Sequence, residues 1–371
     1  MQTRTKLLAA FLALSLPLAA LAQEAAKPAP PPEAKTTVTV YGTINANLHY
    51  SKADGETSAT DVDGRWAVSL DSSNIGFRGT LEASPELGAT FQCETAANVD
   101  GIALASLCNR NSRVGITGKS WGTLWYGNWD TPVKAGAYGT KADDPFGNTD
   151  VFGHQNIMGS PGFGYRSSAW LTGNPSATTA GGFIHGFDIR ANNSVGYHSP
   201  KFGNMLSVKL QYSVNELAPA DTSEISQGLL SGVLNLDYGP LSAFFSYERH
   251  EDAMALPAIV QDPATNPVTI STTDWIWRAG AGYEFKWAAG ATTPVFWFEQ
   301  LTLGQDDAPI GGFTEAKRWA WMAGLKHRYQ NHEVRFRYST ADDGECSVNG
   351  GTCETVDAGA TTAGEPLIEN V

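Results

Sequence analysis

Long apolar runs are missing from this chain. Beyond a short N-terminal segment, no stretch reaches eighteen consecutive apolar residues, which excludes membrane-spanning helices. Basic residues are scarce: 25 Lys and Arg stand against 38 Asp and Glu, a net charge of −13. Nucleic acid needs clustered Lys and Arg to meet its phosphates, so no such partner is predicted. The 7 histidines show no H-E-x-x-H spacing and no Cys/His cluster, so neither a metal site nor a cofactor is expected. Calcium at acidic loops stays open. Helical periodicity is absent from every segment of length. A soluble chain this long would normally carry several helices and split into domains.

Cysteine is rare as well, with 4 in the chain: Cys93, Cys108, Cys346 and Cys353. Four cysteines allow three connectivities, and they fit an oxidising compartment. The local pairs Cys93/Cys108 and Cys346/Cys353 are the expected ones, because each brackets a loop-like stretch.

What is present begins with an export signal. Arg4 and Lys6 precede an apolar run over 7–18, and Ala20-Leu21-Ala22 forms a small-residue cleavage site. Residues 1–22 are therefore read as a signal peptide. The Ala/Pro-rich stretch 23–37 is read as an extended periplasmic linker.

From residue 38 the period is two. Val38, Val40, Gly42, Ile44, Ala46, Leu48 and Tyr50 share one face, and Thr39, Tyr41, Thr43, Asn45, Asn47 and His49 the other. The pattern returns with Ile75, Phe77, Gly79 and Leu81 against Asn74, Arg78, Thr80 and Glu82. In a membrane barrel the apolar face meets lipid and the polar face lines water. Further strands are expected near 89–94, 112–118, 123–128, 190–198, 205–214, 228–238, 241–251, 274–286, 294–303, 317–329 and 333–339. Short turns alternate with long loops at 51–68, 95–110, 131–188, 215–227, 252–273, 304–316 and from 340 onward. That alternation suits an up-and-down barrel with one plain and one elaborate rim. Trp275, Trp277, Trp297, Trp319, Trp321, Tyr329 and Tyr338 read as aromatic girdles at the membrane interfaces.

The stretch 131–188 breaks the rhythm. Glycine, aspartate and aromatics dominate it, as in Asp143-Asp144-Pro145-Phe146-Gly147. A connection this long is functional or disordered. It is expected to fold into the lumen and narrow it. The fold class is therefore all-β, a transmembrane antiparallel barrel over 38–371, with thirteen strands legible in the sequence. Thirteen is odd, whereas single-chain bacterial barrels have even numbers. The chain is thus expected to be C-terminally incomplete, cut within its seventh long loop. A sixteen-stranded barrel would need three more strands, roughly 40–60 residues.

These residues resemble the Gram-negative trimeric general porins, especially the β-proteobacterial and Neisserial type. The likeness lies in Val38-Thr39-Val40-Tyr41-Gly42, in Ser73-Asn74-Ile75-Gly76-Phe77-Arg78-Gly79 and in Pro85-Glu86-Leu87-Gly88. It continues through Arg113-Val114-Gly115-Ile116, Trp121-Gly122-Thr123-Leu124, Thr131-Pro132 and Asn193-Ser194-Val195-Gly196-Tyr197. The resemblance implies sixteen strands, a homotrimer in outer-membrane lipid and lipopolysaccharide, and a third loop forming the constriction. It also implies passive diffusion of ions and small hydrophilic solutes. The chain departs from the family by ending in Val371 rather than a terminal aromatic, and by carrying Asn128 where a basic residue is common.

Porin selectivity comes from pore width and from charges facing each other across the constriction. By parity, Arg78, Arg113, Lys209, Arg278, Arg335 and Arg337 face the lumen, opposite Asp143, Asp144 and Asp150 of the loop. A substrate-specific channel for a sugar or organic acid is the runner-up, with Phe163, Tyr165, Trp170 and Phe183 as a stacking surface. An adhesive or enzymatic barrel ranks below both. Gly118-Lys119-Ser120-Trp121-Gly122 matches G-x-S-x-G, but it lies between two strands rather than before a helix, so it reads as a turn. Gly280-Ala281-Gly282 lacks the third glycine and the helix of a dinucleotide site.

Overall fold

The computed structural model describes residues 35–53, 62–70, 72–84, 86–97, 106–147, 154, 157–159, 166–167, 186–214, 228–251, 254–255, 273–304, 315–342, 345–348 and 351–352. These belong to a unit spanning Ala34–Val371. The signal peptide and most of the linker lie outside the described residues. The first strand starts at Lys35, three residues earlier than the sequence pattern suggests.

The strands are β1 (Lys35–Thr43), β2 (Ala46–Ala53), β3 (Val62–Leu70), β4 (Asn74–Ser84), β5 (Leu87–Ala96), β6 (Ser112–Gly118) and β7 (Gly122–Asp130), followed by the short helix α1 (Pro132–Ala135). Then come β8 (Arg166–Ser167), β9 (Arg190–His198), β10 (Leu206–Val214), β11 (Gly228–Tyr238), β12 (Leu241–Glu251), β13 (Met254–Ala255) and β14 (Thr273–Tyr283). The last are β15 (Phe285–Trp287), β16 (Gly290–Gly304), β17 (Glu315–Tyr329), β18 (His332–Ala341), β19 (Glu345–Val348) and β20 (Gly351–Thr352).

All pairings are antiparallel; one 16-stranded sheet joins mostly neighbours in sequence, and β8 with β13 forms a two-stranded sheet apart from it. Two of its strands are broken in the middle. β14 and β15 both pair with β16, and β18 and β19 both pair with β17. Joining each pair leaves fourteen, of which β20 is only a beginning, so the thirteen strands legible in the sequence are all present. β2 and β3 extend the first hairpin as a separate two-stranded sheet. The break falls at Ile44 and Asn45, where Asn45 N donates to Ser73 Oγ at 2.9 Å instead of to the ladder. Ser72, the neighbour of Ser73, takes the left-handed φ of 51°. Among the described residues β1 and β18 do not pair with each other, so the sheet is not closed there.

The two faces differ as a lipid-water wall requires. Val38 and Val40 keep 63% of their surface exposed, and Phe77, Val114, Leu124, Leu210, Leu234, Phe245, Phe296 and Phe336 follow on the same face. A monomeric soluble protein rarely shows an apolar patch larger than a few hundred Å², so this continuous face is one that lipid covers. Phe245, Trp277, Phe298 and Trp319 form a chain of ring contacts along it. Trp297 is not part of that belt. It is 1% exposed and points to the opposite face, where it packs under the long loop.

Candidate functional site

The segment after β7 is fastened to the polar face strand by strand. α1 begins with Pro132 at its first position, where a missing N–H costs nothing. Val133 N donates to Ser231 Oγ on β11, and Lys141 N donates to Ser242 Oγ on β12, each at 3.3 Å. Trp297 Nε1 on β16 donates to Ala142 O at 2.7 Å. Lys326 Nζ on β17 donates to Asp143 O at 3.1 Å, and Arg335 Nη1 on β18 donates to Pro145 O at 2.9 Å. Two glycines make room for this. A Cβ on Gly282 would stand 2.0 Å from Lys141 O, and one on Gly324 would stand 2.6 Å from Pro145 Cγ. The segment thus crosses the wall from β11 to β18 in order.

A buried ionic knot locks it. Arg278 on β14 grips Asp188 with both terminal nitrogens at 2.8 Å, donates Nε to Glu299 Oε2 at 2.7 Å, and reaches Val133 O at 3.1 Å. Glu299 Oε1 accepts Gly159 N at 2.5 Å. His154 places Nδ1 3.1 Å from Asp144 Oδ2 and Nε2 3.5 Å from Asp188 Oδ1, with its ring edge-on to Trp297. Arg337 Nη1 completes the set 2.8 Å from Asp144 Oδ2. With His154 protonated, the three cations Arg278, Arg337 and His154 match the three carboxylates Asp144, Asp188 and Glu299. Unpaired charges in such a site would be costly.

The loop groups titrate accordingly. Burial opposes the His154 imidazolium, but Asp188 and Asp144 outweigh it and raise its pKa. Burial likewise opposes the Asp188 carboxylate, yet Arg278 and His154 hold it well below the usual range. Burial is also overcome at Asp144, which His154 and Arg337 lower. Asp143 goes the other way, pushed up by burial, with Gly139 N at 2.9 Å as its hydrogen-bond donor.

A group with a raised folded pKa stabilises fully below its unfolded value, ~6.5 for histidine, and stops doing so as pH rises through the folded value. The two lowered aspartates stabilise above ~4 and fail only as pH falls through their depressed values. The contribution of these three groups is therefore expected to hold from about pH 5 to 6.5 and to decline on the alkaline side, while the raised Asp143 withdraws some stability as pH climbs above ~4. In His154→Gln that alkaline decline should be much reduced, read by thermal unfolding across pH 6–9. An identical decline in the variant would assign it to other groups.

The six basic residues predicted for the lumen divide into two sets. Arg278, Arg335 and Arg337 hold the loop. Arg78, Arg113 and Lys209 lie on the polar face of β4, β6 and β10. Arg78 is exposed, with its guanidinium 4.9 Å from the Tyr41 ring centre. Arg113 lies 4.0 Å over Trp129 and bonds His198 Nδ1 at 3.1 Å. Lys209 is opposite His198 in register.

The loop aspartates lie tight against the wall. Asp144 is buried against Arg337 and His154 rather than facing a cation across water, because the wall is close enough for direct pairing. Asp143 Oδ2 caps its own loop at Gly139. Asp150 lies outside the described residues, as do Phe163, Tyr165, Trp170 and Phe183.

Cys93 and Cys108 are bonded, with Cα atoms 4.7 Å apart. Cys353 lies outside the described residues. Ser120 sits in the turn between β6 and β7 and donates to Glu86 Oε2 at 3.1 Å.

Sequence reasoning misses Glu299, Asp188 and His154. Glu299 is findable, since it has the opposite parity to the exposed Phe296. Asp188 and His154 carry no periodic signal.

A family model described as Gram-negative porin matches residues 8–362. An outer membrane porin protein of Bordetella pertussis is 26% identical over 240 residues, 58% of this chain and 55% of that protein. Outer membrane porin protein 32 of Delftia acidovorans is 27% identical over 233 residues, 62% of this chain and 59% of that protein. The chain spans a little over half the length of these relatives. Among solved structures, the anion-selective porin from Comamonas acidovorans superposes with a TM-score of 0.60 at 21% identity, covering 84% of this chain and 80% of that one. A loop deletion mutant of OmpT, an outer membrane protein of Vibrio cholerae, gives 0.54 at 15% identity, covering 85% and 84%. Both likenesses are of fold.

Proposed function

We propose that this chain, which belongs to the Gram-negative porin family, works as a water-filled channel of the outer membrane. Ions and small hydrophilic solutes cross it by diffusion, without catalysis. One observation carries the reading: the loop is fastened along β11–β18, while Arg78 on β4 stays exposed on the polar face away from it. A polar wall and an inserted loop whose described part is fastened to only some of its strands leave a path for water. The homotrimer and its contacts with lipid and lipopolysaccharide form part of the proposal on family grounds.

The test is single-channel current of the full chain in a planar bilayer. Ohmic steps, grouped in threes, support the channel and the trimer; folded protein without current refutes the channel. Arg78 also fixes a sign. In Arg78→Glu the reversal potential under a salt gradient should move towards cations, and an unchanged potential removes Arg78 from the path.

A second reading, a channel selective for one solute class, draws on Trp129 lying 4.0 Å under Arg113. A planar solute with a carboxylate could stack and pair there. Saturable block of the current by such a solute would distinguish it.

A further inference from the structure

Beneath the fastened segment, at the rim of short turns, lies a cavity of about 410 Å³. Its charged lining is Lys141, Lys201, Lys326 and Arg328 against Asp237, Glu284 and Glu333. The carboxylates are all spoken for. Asp237 binds Lys201 at 2.7 Å, Glu284 binds Lys286 at 3.1 Å, and Glu333 binds Arg335 at 2.5 Å. Of the cations, Lys201 alone has a direct carboxylate partner. Lys326 meets the carbonyl of Asp143 at 3.1 Å. Among the described residues, Lys141 and Arg328 have no carboxylate within ion-pair distance.

Two cations without a direct ion pair, Lys141 and Arg328, therefore converge on one concave space with Lys326, which Asp143 and Glu333 reach only electrostatically. Lys141 comes from the loop. Lys326 and Arg328 stand two residues apart on β17, so they share its inner face. Thr140 and Thr293 add hydroxyl-bearing side chains to the lining. Arginine presents a planar fork that fits two oxygens at once, and lysine supplies a compact point charge. Charge, size and donor geometry together select a compact oxyanion carrying two negative charges.

We propose that this cavity is a binding site for a small dianionic solute, such as a phosphate, at the short-turn side of the loop. The proposal rests on the channel reading for its use, as a station that a solute occupies after the narrowing. Its test does not depend on conduction. Inorganic phosphate is titrated into folded, detergent-solubilised full chain at low salt, and heat of binding is recorded.

One saturable site is expected in the unaltered protein. Lys141→Gln and Arg328→Gln should each weaken it about tenfold or more, since each removes a charged hydrogen-bond donor. Lys119→Gln, in the turn between β6 and β7 and outside the lining, should leave it unchanged. Arg328 is exposed, so its variant keeps the test decisive if Lys141→Gln does not fold. Absence of binding, or equal affinity in all three variants, overturns the proposal. If the bilayer shows current while phosphate does not bind, the site falls and the channel stands. If phosphate binds without current, the site stands and the channel falls.

Discussion

Arg278→Met is expected to lower stability by roughly 3–5 kcal/mol, because it breaks a buried ion pair by deleting one partner. Methionine is close in length, so a void is not the cause. What remains is a pair of carboxylates, Asp188 and Glu299, facing one another in a site that excludes water, and a Val133 carbonyl without its donor. The loop should lift from the wall. Thermal unfolding gives the loss, and limited proteolysis of the loop reports the lifting. Adding Glu299→Gln to Arg278→Met should recover part of the loss, since it removes one of the stranded charges. A melting temperature within a degree or two of the parent would show that water reaches these carboxylates.

Trp297→Ala should cost a similar amount, about 3–5 kcal/mol, by a different route. Among the described residues this tryptophan is more deeply buried than Trp125, the other tryptophan in the core, at 1% against 3% exposure. It closes on Phe244 with ring centres 5.1 Å apart and on His154 at 4.7 Å, and it fits over Gly280, where a Cβ would come within 2.4 Å of its ring. Truncation leaves a cavity bordered by strand and loop. Trp297→Phe separates the contributions. The ring volume is mostly kept, but Ala142 O loses its 2.7 Å donor, a penalty of roughly 1–3 kcal/mol. A graded melting series, with Ala well below Phe, is the expected result. Equal losses would make the hydrogen bond the whole effect.

The wall is legible because a strand with one wet and one greasy face must alternate. Val38, Val40, Ile75 and Phe77 could not have been polar, and Arg78 could not have stood among them. Parity also places Arg278 on the inner face. It cannot say that Arg278 is buried, because its partner Asp188 is 90 residues away and lies in no repeating pattern. The loop aspartates are expected to face water for the same reason. Nothing local in Asp143-Asp144-Pro145 announces that Gly282 and Gly324 leave space for the backbone to settle against the sheet. Aromatic residues mislead at one point. Trp297 reads as belt because tryptophan is common at interfaces, though its parity with Glu299 already sets it inward. The break between β1 and β2 is invisible too, since it turns on the backbone of Ser72 and its neighbour's hydroxyl.

The fastening of the loop has a consequence for the order in which the molecule forms. Its anchors lie far downstream: Ser231 is 98 positions from Val133, Pro145 is 190 from Arg335, and Asp144 is 193 from Arg337. Hairpins such as β6–β7 can zip as soon as they exist, whereas these contacts must wait for β11 to β18 and for the closure of long intervening segments. Docking of the loop is therefore expected late in assembly, after the local hairpins have paired. An arrest before β17 and β18 form is then expected to leave the earlier hairpins paired while the loop still lacks its anchors on Lys326, Arg335 and Arg337.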